Sequence, residues 1–213
     1  MGAGLHPWQE RIRDSGLTTH GALDLAVDAL PLQRDFAVLD RDLPAAARTC
    51  FDAVSGWTAV PLMDAPGRAT PALALLPSVA ALLARVDWAV RRCYLLRQGP
   101  GDVLRWHFDN QALHLDEARL LVPIVVPPAA VTWIGHEAVA YRPGHGWTGD
   151  FALPHQVENS ADEQRVVLAI DVEVTPALVR LFPAALTAEA ARRIELAQDC
   201  RNLLLAWRSA QGL

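Results

Sequence analysis

Two histidines and one aspartate carry the first chemical signal in this 213-residue chain. His107 and Asp109 flank Phe108 shortly after the apolar Val103-Leu104, and His155 lies far downstream. If His-Phe-Asp is extended, both polar side chains leave the same face of a strand, roughly 6 to 7 Å apart, a reach from which they can close on one ion. With His155 arriving from another strand, two imidazoles and one carboxylate would hold a metal and leave part of its shell open. That ligand set is typical of non-haem iron(II) oxygenases.

The His-x-Asp spacing alone is a weak signal, since histidines in strands commonly serve as hydrogen-bonded core or surface residues. A more specific pattern surrounds the second histidine. It sits in Leu153-Pro154-His155-Gln156-Val157-Glu158-Asn159, and ten residues later Arg165 opens the apolar run Val166 to Asp171. A planar, permanently charged guanidinium at that point suits bidentate binding of a carboxylate.

The elements around these residues read mainly as β-structure. Leu120 to Val126, Val131 to Ile134, Ala138 to Tyr141, Trp147 to Phe151 and Arg165 to Val174 are short apolar segments. Pro127-Pro128, Gly135, Pro143-Gly144 and Asn159-Ser160 punctuate them. Many short strands joined by turns predict an antiparallel jelly-roll sandwich or barrel, with the ligands projecting into its mouth. Val90 to Leu96 is a further strand, and Gly99-Pro100-Gly101 turns the chain into the His-x-Asp strand.

Helices are expected on either side of this core. Pro44 to Val54 is Ala-rich, with Pro in the first turn and Gly56 beyond its end, and reads as a helix. Val79, Leu82, Leu83 and Val86 recur at helical spacing after Pro77. Trp57 to Leu62 lies between them as a strand. Leu23, Leu25 and Val27 alternate with Asp24 and Asp28 as in a strand, although a helix through Leu30 fits as well. A short helix covers Ala177 to Phe182. A longer one from Thr187 places Leu196, Cys200, Leu203 and Trp207 on one face, suited to packing on the sheet or on a partner subunit in a homodimer. We therefore expect one domain over 1–213, with a lead-in over 1–89, a jelly-roll core over 90–174 and C-terminal helices over 175–213.

Composition limits the partners. Half the residues (52%) are hydrophobic and 20% charged, so the chain is globular, and its net charge of -5 comes with arginines scattered along it. No cationic tract points to nucleic acid or an anionic membrane. No apolar run approaches a membrane span, and Met1 to Arg13 lacks the apolar core of a signal peptide. Cys50, Cys93 and Cys200 are odd in number and form no CxxC pair, which suits a reduced, cytoplasmic protein.

The stretch from Cys93 to Asp171 resembles the aspartyl/asparaginyl β-hydroxylase-like family of iron(II)- and 2-oxoglutarate-dependent dioxygenases, which includes hydroxylases of the proline-hydroxylase kind. The resemblance rests on Leu96 to Gly101 before His107-Phe108-Asp109, and on Ala118-Arg119-Leu120 with Pro123. Gly144, Trp147 and Asp150 follow, before Pro154-His155 with Val157 and Asn159, then Arg165 and Asp171. It implies a double-stranded β-helix of cupin type. It also implies iron held by His107, Asp109 and His155, and Arg165 anchoring the distal carboxylate of 2-oxoglutarate. In the family, O2 and 2-oxoglutarate yield succinate and CO2 while a substrate carbon is oxidised. An amino acid or a residue in a natural-product peptide is the implied substrate.

Two positions depart from the family pattern. Leu121 stands where members commonly have a histidine that assists 2-oxoglutarate binding, and His145 replaces a glutamate after Gly144. These leave room for a second reading, a metal-binding cupin-type isomerase or hydrolase that does not use 2-oxoglutarate. Arg119 is a candidate for cosubstrate or substrate binding, or for a structural ion pair. His145 and Trp147 are candidate substrate contacts, although Trp147, like Trp106 and Trp133, suits the core better, since aromatics are enriched in strands. Asp150 could touch substrate, orient a metal ligand or simply end a strand. His114 and His136 are not needed to complete the triad.

Overall fold

The computed structural model describes residues 4–42, 49–50 and 57–212. Helix α1 (Pro7–Ser15) precedes β1 (His20–Ala26) and α2 (Ala29–Asp42), then come β2 (Thr49–Cys50), β3 (Thr58–Ala65), β4 (Arg68–Ala69) and α3 (Pro77–Arg85). The core follows as β5 (Val90–Gln98), β6 (Val103–His107), β7 (Glu117–Val125), β8 (Ala130–Ile134), β9 (Glu137–Val139), β10 (His145–Gly149), β11 (His155–Asn159) and β12 (Arg165–Glu173). Helices α4 (Pro176–Val179) and α5 (Ala190–Gln211) close the chain.

The strands form two antiparallel sheets, as in a jelly roll. The larger has the order β1-β10-β7-β12-β5-β3-β2, with β4 on β3, and the smaller has the order β6-β11-β8-β9. Strand β12 explains both the layering and its own sequence. It is buried from Arg165 to Val172, so each face needs a partner. Val166, Leu168, Ile170 and Val172 pack with Leu32, Phe36 and Leu39 of α2 and Val79 and Leu82 of α3. Val167 and Ala169, on the opposite face, join the inter-sheet core with Trp57, Leu96, Leu121, Phe151 and Val157. A run that is apolar at every position is what a strand covered on both faces requires. Arg165 and Asp171 are the exceptions, and both lie on the inter-sheet face.

Several expectations are revised. Within the helix expected over Pro44 to Val54, Thr49–Cys50 form a strand against Thr58–Ala59, and the other residues lie outside the described ones. At those two residues pairing with β3 prevails over local propensity. The ambiguity after Gly21 resolves as β1 followed by α2, whose Leu32, Phe36 and Leu39 form a buried stripe at i, i+4 and i+7. Leu196 and Cys200 of α5 are buried, joined by Leu204, but against α1 of the same chain, where Trp207 meets Trp8 at 5.5 Å between ring centroids. Cys93 and Cys200 are free, buried thiols. Among the described residues no helix is long and apolar enough to cross a membrane.

Candidate metal centre

The β6–β11 pair brings the two histidines together. His155 is in register with His107, and their rings lie 4.0 Å apart between centroids. Each ring places Nδ1 on a carbonyl two residues upstream, His107 on Arg105 O at 2.7 Å and His155 on Leu153 O at 3.0 Å. A carbonyl only accepts, so both Nδ1 atoms carry the proton and both Nε2 atoms are left as lone-pair donors to a metal. Burial pushes His155 well below the ordinary imidazole range, with the neighbouring His107 adding to the effect, and burial lowers His107 too. Both rings are thus neutral near pH 7, the form that ligates.

Asp109 reaches the site differently from the expectation. Strand β6 ends at His107, so the carboxylate is not aligned by strand alternation. Its backbone N–H instead donates to Phe151 O at 2.8 Å, across to the turn that leads into β11. One ligand atom each from His107, Asp109 and His155 lies within 4.8 Å of the others. Asn159 steadies the arrangement: its side-chain amide donates to Gly99 O at 2.9 Å, and its backbone carbonyl accepts from Gly101 N at 2.8 Å. The turn entering β6 is thereby tied to the end of β11.

Two arginines border the cluster with opposite pairing. Arg119 of β7 makes a two-pronged contact to Asp171, Nε to Oδ1 at 2.8 Å and Nη2 to Oδ2 at 3.1 Å, and its Nη1 donates to Asp109 Oδ2 at 2.7 Å. Burial works against its charge, yet Asp171 and Asp109 together hold its pKa above the ordinary guanidinium value. Arg165 is 6% exposed, and its side chain donates to Thr132 Oγ1 at 3.2 Å. No carboxylate among the described residues lies within ion-pair distance of it, and burial lowers its pKa to about 10. It is still charged at neutral pH. A buried cation with a single neutral partner is costly unless a ligand supplies the anion.

The space between these groups is a pocket of about 430 Å3, open mouth included, with Arg165 and Thr132 at one end and His107, Asp109 and Arg119 at the other. Leu96, Leu121, Val157 and Val167 make its walls apolar. Leu121 thus occupies a wall where the family commonly presents a histidine. A second chamber shares Trp57, Leu96, Leu104 and the metal-side residues, and extends past Ala169 to Tyr94, Arg92 and Asp171.

Three candidate substrate residues lie elsewhere. His145 is exposed at the start of β10, opposite Ala26, and lines neither chamber. Trp147 is buried and stacked on Tyr141 at 5.1 Å, and it lies behind the pocket wall, opposite Leu121 on β7 and 5.8 Å from the Phe151 ring. Asp150 is turned to the C-terminal helix, where its Oδ2 accepts from Arg193 Nη1 at 3.1 Å. His114 lies 3.7 Å from the same oxygen and takes no part in the cluster. Thr132, Tyr94 and Arg92 line the chambers although no sequence motif marks them, and Trp57, just before β3, lines both. Strand register places Thr132, Tyr94 and Arg92 there.

A model of the aspartyl/asparaginyl β-hydroxylase family matches residues 31–175. The chain belongs to this family. It is accordingly a hydroxylase of the 2-oxoglutarate-dependent dioxygenase class. Among solved structures it is similar to an oxidoreductase of the 2OG-Fe(II) oxygenase family from Burkholderia pseudomallei, at 14% identity and a TM-score of 0.50, covering 82% of this chain and 96% of that one. It is also similar to SnoK, the non-haem α-ketoglutarate-dependent carbocyclase of nogalamycin biosynthesis, at 13% identity and a TM-score of 0.53, covering 80% and 87%. At these identities the likeness is one of fold. No curated protein sequence matches the chain.

Proposed function

We propose that this chain binds iron(II) through His107, Asp109 and His155 and uses 2-oxoglutarate and O2 to hydroxylate an unactivated carbon. The substrate in this reading is an amino acid, free or within a natural-product peptide, and succinate and CO2 are the coproducts. The observation that carries it is Arg165, a buried guanidinium with no carboxylate partner among the described residues, facing the three metal-ligand groups across one pocket.

The donor set fits the metal. Two neutral Nε2 atoms and one carboxylate are already convergent, their tautomers set by carbonyl contacts rather than by the ion. Bound iron would supply the redox chemistry that couples oxidative decarboxylation of 2-oxoglutarate to oxidation of the substrate. The chain's own residues do the rest. Arg165 pairs with the distal carboxylate of the cosubstrate, and Thr132 Oγ1 aims the guanidinium. Leu96, Leu121 and Val167 exclude water along its length, so the charge pair forms in a low-dielectric pocket. The second chamber, bounded by Trp57, Tyr94 and Leu104, receives the substrate carbon on the other side of the cluster.

An isomerase or hydrolase reading with the same triad leaves Arg165 without a role. An anaerobic titration of metal-free protein with Fe(II), then 2-oxoglutarate, separates the two readings through the weak visible charge-transfer absorption of the chelate. Absorption that vanishes in His155→Ala and needs far more 2-oxoglutarate in Arg165→Ala is the expected result. Iron binding with no response to 2-oxoglutarate would hand the site to the isomerase or hydrolase reading.

A further inference from the structure

We infer that Arg119 is a positioning residue that presents the Asp109 carboxylate to the metal, with Asp171 as its fixed anchor. The inference rests on the metal role proposed above and concerns how one ligand is held. Asp109 needs such help. It lies beyond the end of β6, and the backbone contact from its N–H to Phe151 O leaves both side-chain torsions free. The two histidines, by contrast, are fixed by strand pairing and by their Nδ1 contacts.

Register supplies the missing constraint. Arg92, Asp171 and Arg119 stand directly opposite one another on β5, β12 and β7. Asp171 is fully buried at the centre of that row, and Arg92 Nε approaches its Oδ2 at 3.5 Å from the far side. Holding both Nε and Nη2 of Arg119 on one carboxylate fixes the plane of the guanidinium, and with it the direction of Nη1. Nη1 is the atom that donates to Asp109 Oδ2. That oxygen lies 3.9 Å from His155 Nε2, so the contact sets the carboxylate beside the imidazoles.

Charge alone would argue against an arginine here. A cation in contact with a metal ligand repels the metal, and a merely electrostatic Arg119 would weaken binding by its presence. Its contribution is therefore geometric, and its charge is already committed to two carboxylates. This also separates it from Arg165, whose guanidinium has no carboxylate partner among the described residues.

The test uses Co(II) as the probe, read by calorimetry and by the visible spectrum of the bound ion, with thermal melts of the metal-free proteins alongside. Arg119→Lys keeps the charge and loses the fork. It should bind Co(II) about tenfold more weakly, in the range of lost outer-shell contacts, and with an altered visible spectrum. Asp171→Asn should do the same without touching Asp109. Should Asp171→Asn fail to fold, Arg119→Gln takes its place with the same expected loss. Wild-type affinity and spectrum in Arg119→Lys and Arg119→Gln, or tighter binding in Arg119→Gln, would overturn the inference even if their melting temperatures fell. Loss of Co(II) binding in wild type itself would instead strike the metal reading beneath it, with His155→Ala as the reference for an empty site.

Discussion

His107 and His155 face each other across the β6–β11 pair with the same local arrangement: each Nδ1 donates to the carbonyl of the residue two before it. The repeated contact gives both rings one tautomer and turns both Nε2 atoms toward Asp109. Preorganisation of this kind lets a metal bind without reorienting its ligands.

Single substitutions should sort the histidines sharply. His107→Ala and His155→Ala should each lower Fe(II) or Co(II) affinity by more than about 100-fold, beyond the range seen for outer-shell losses. His114→Ala should leave the affinity of folded protein unchanged, although the His114 side chain is as well covered as that of His155. Calorimetric titration of the three variants decides this, and a loss of metal in His114→Ala would place the centre elsewhere.

Arg165→Met should separate function from stability. The substitution removes the counterion proposed for 2-oxoglutarate and should weaken its binding by about 1.5 to 3 kcal/mol, or roughly 10- to 150-fold. Replacing a buried charge that has no carboxylate partner among the described residues with an apolar side chain of similar reach should leave the melting temperature equal or higher in the absence of ligand. A large fall in melting temperature would mean that the guanidinium is structural.

The parts of this site that were legible in the sequence are those set by residue type and short spacing. His107, Asp109, His155 and Arg165 stand out in that way, and the Pro77 helix and most core strands follow from period and punctuation. The spacing puts Asp109 on the His107 strand, but that strand ends two residues earlier, and the contact that holds Asp109 comes from Phe151. The pairing of Arg119 with Asp171 depends on register between strands 52 residues apart and leaves no local trace. The stripe of α2 is present in the sequence, but it begins just where the alternation of β1 ends, and the two periods mask each other at Asp28. His145 stands out in the sequence only because it replaces a family residue in a turn. A turn says nothing of which end of the barrel it occupies.

The metal-free protein should lose stability on mild acidification. Burial lowers His6, His20, His107, His114 and His155 below the ordinary imidazole value. For such groups the unfolded chain takes up protons first, near pH 6.5, so stability present above that value falls as pH drops toward the folded values. Denaturant midpoints should therefore decline between about pH 7.5 and 5.5. The decline should be shallower in His155→Asn, and a flat profile in wild type would contradict the burial of these rings. Asp150, raised by burial, acts in the opposite sense, since its folded form favours the proton.

Glycine 144 offers a test of how the sheet edge is built. Its φ is +80°, and a Cβ there would meet Val27 O at 2.4 Å, a backbone atom that cannot move aside cheaply. Gly67 has a similar φ of +69° but open space around it. Gly67→Ala should cost about 1 to 2 kcal/mol, the left-handed strain alone. Gly144→Ala adds a packing clash of about 1 to 3 kcal/mol to that strain, and forces the β9–β10 turn away from the segment joining β1 to α2. Its Co(II) affinity, measured on the fraction that folds, should stay near wild type, because the ligands are held by β6, β11 and Arg119 rather than by this turn. Equal destabilisation of the two variants would mean that the turn yields without cost and that the contact with Val27 does not hold the edge.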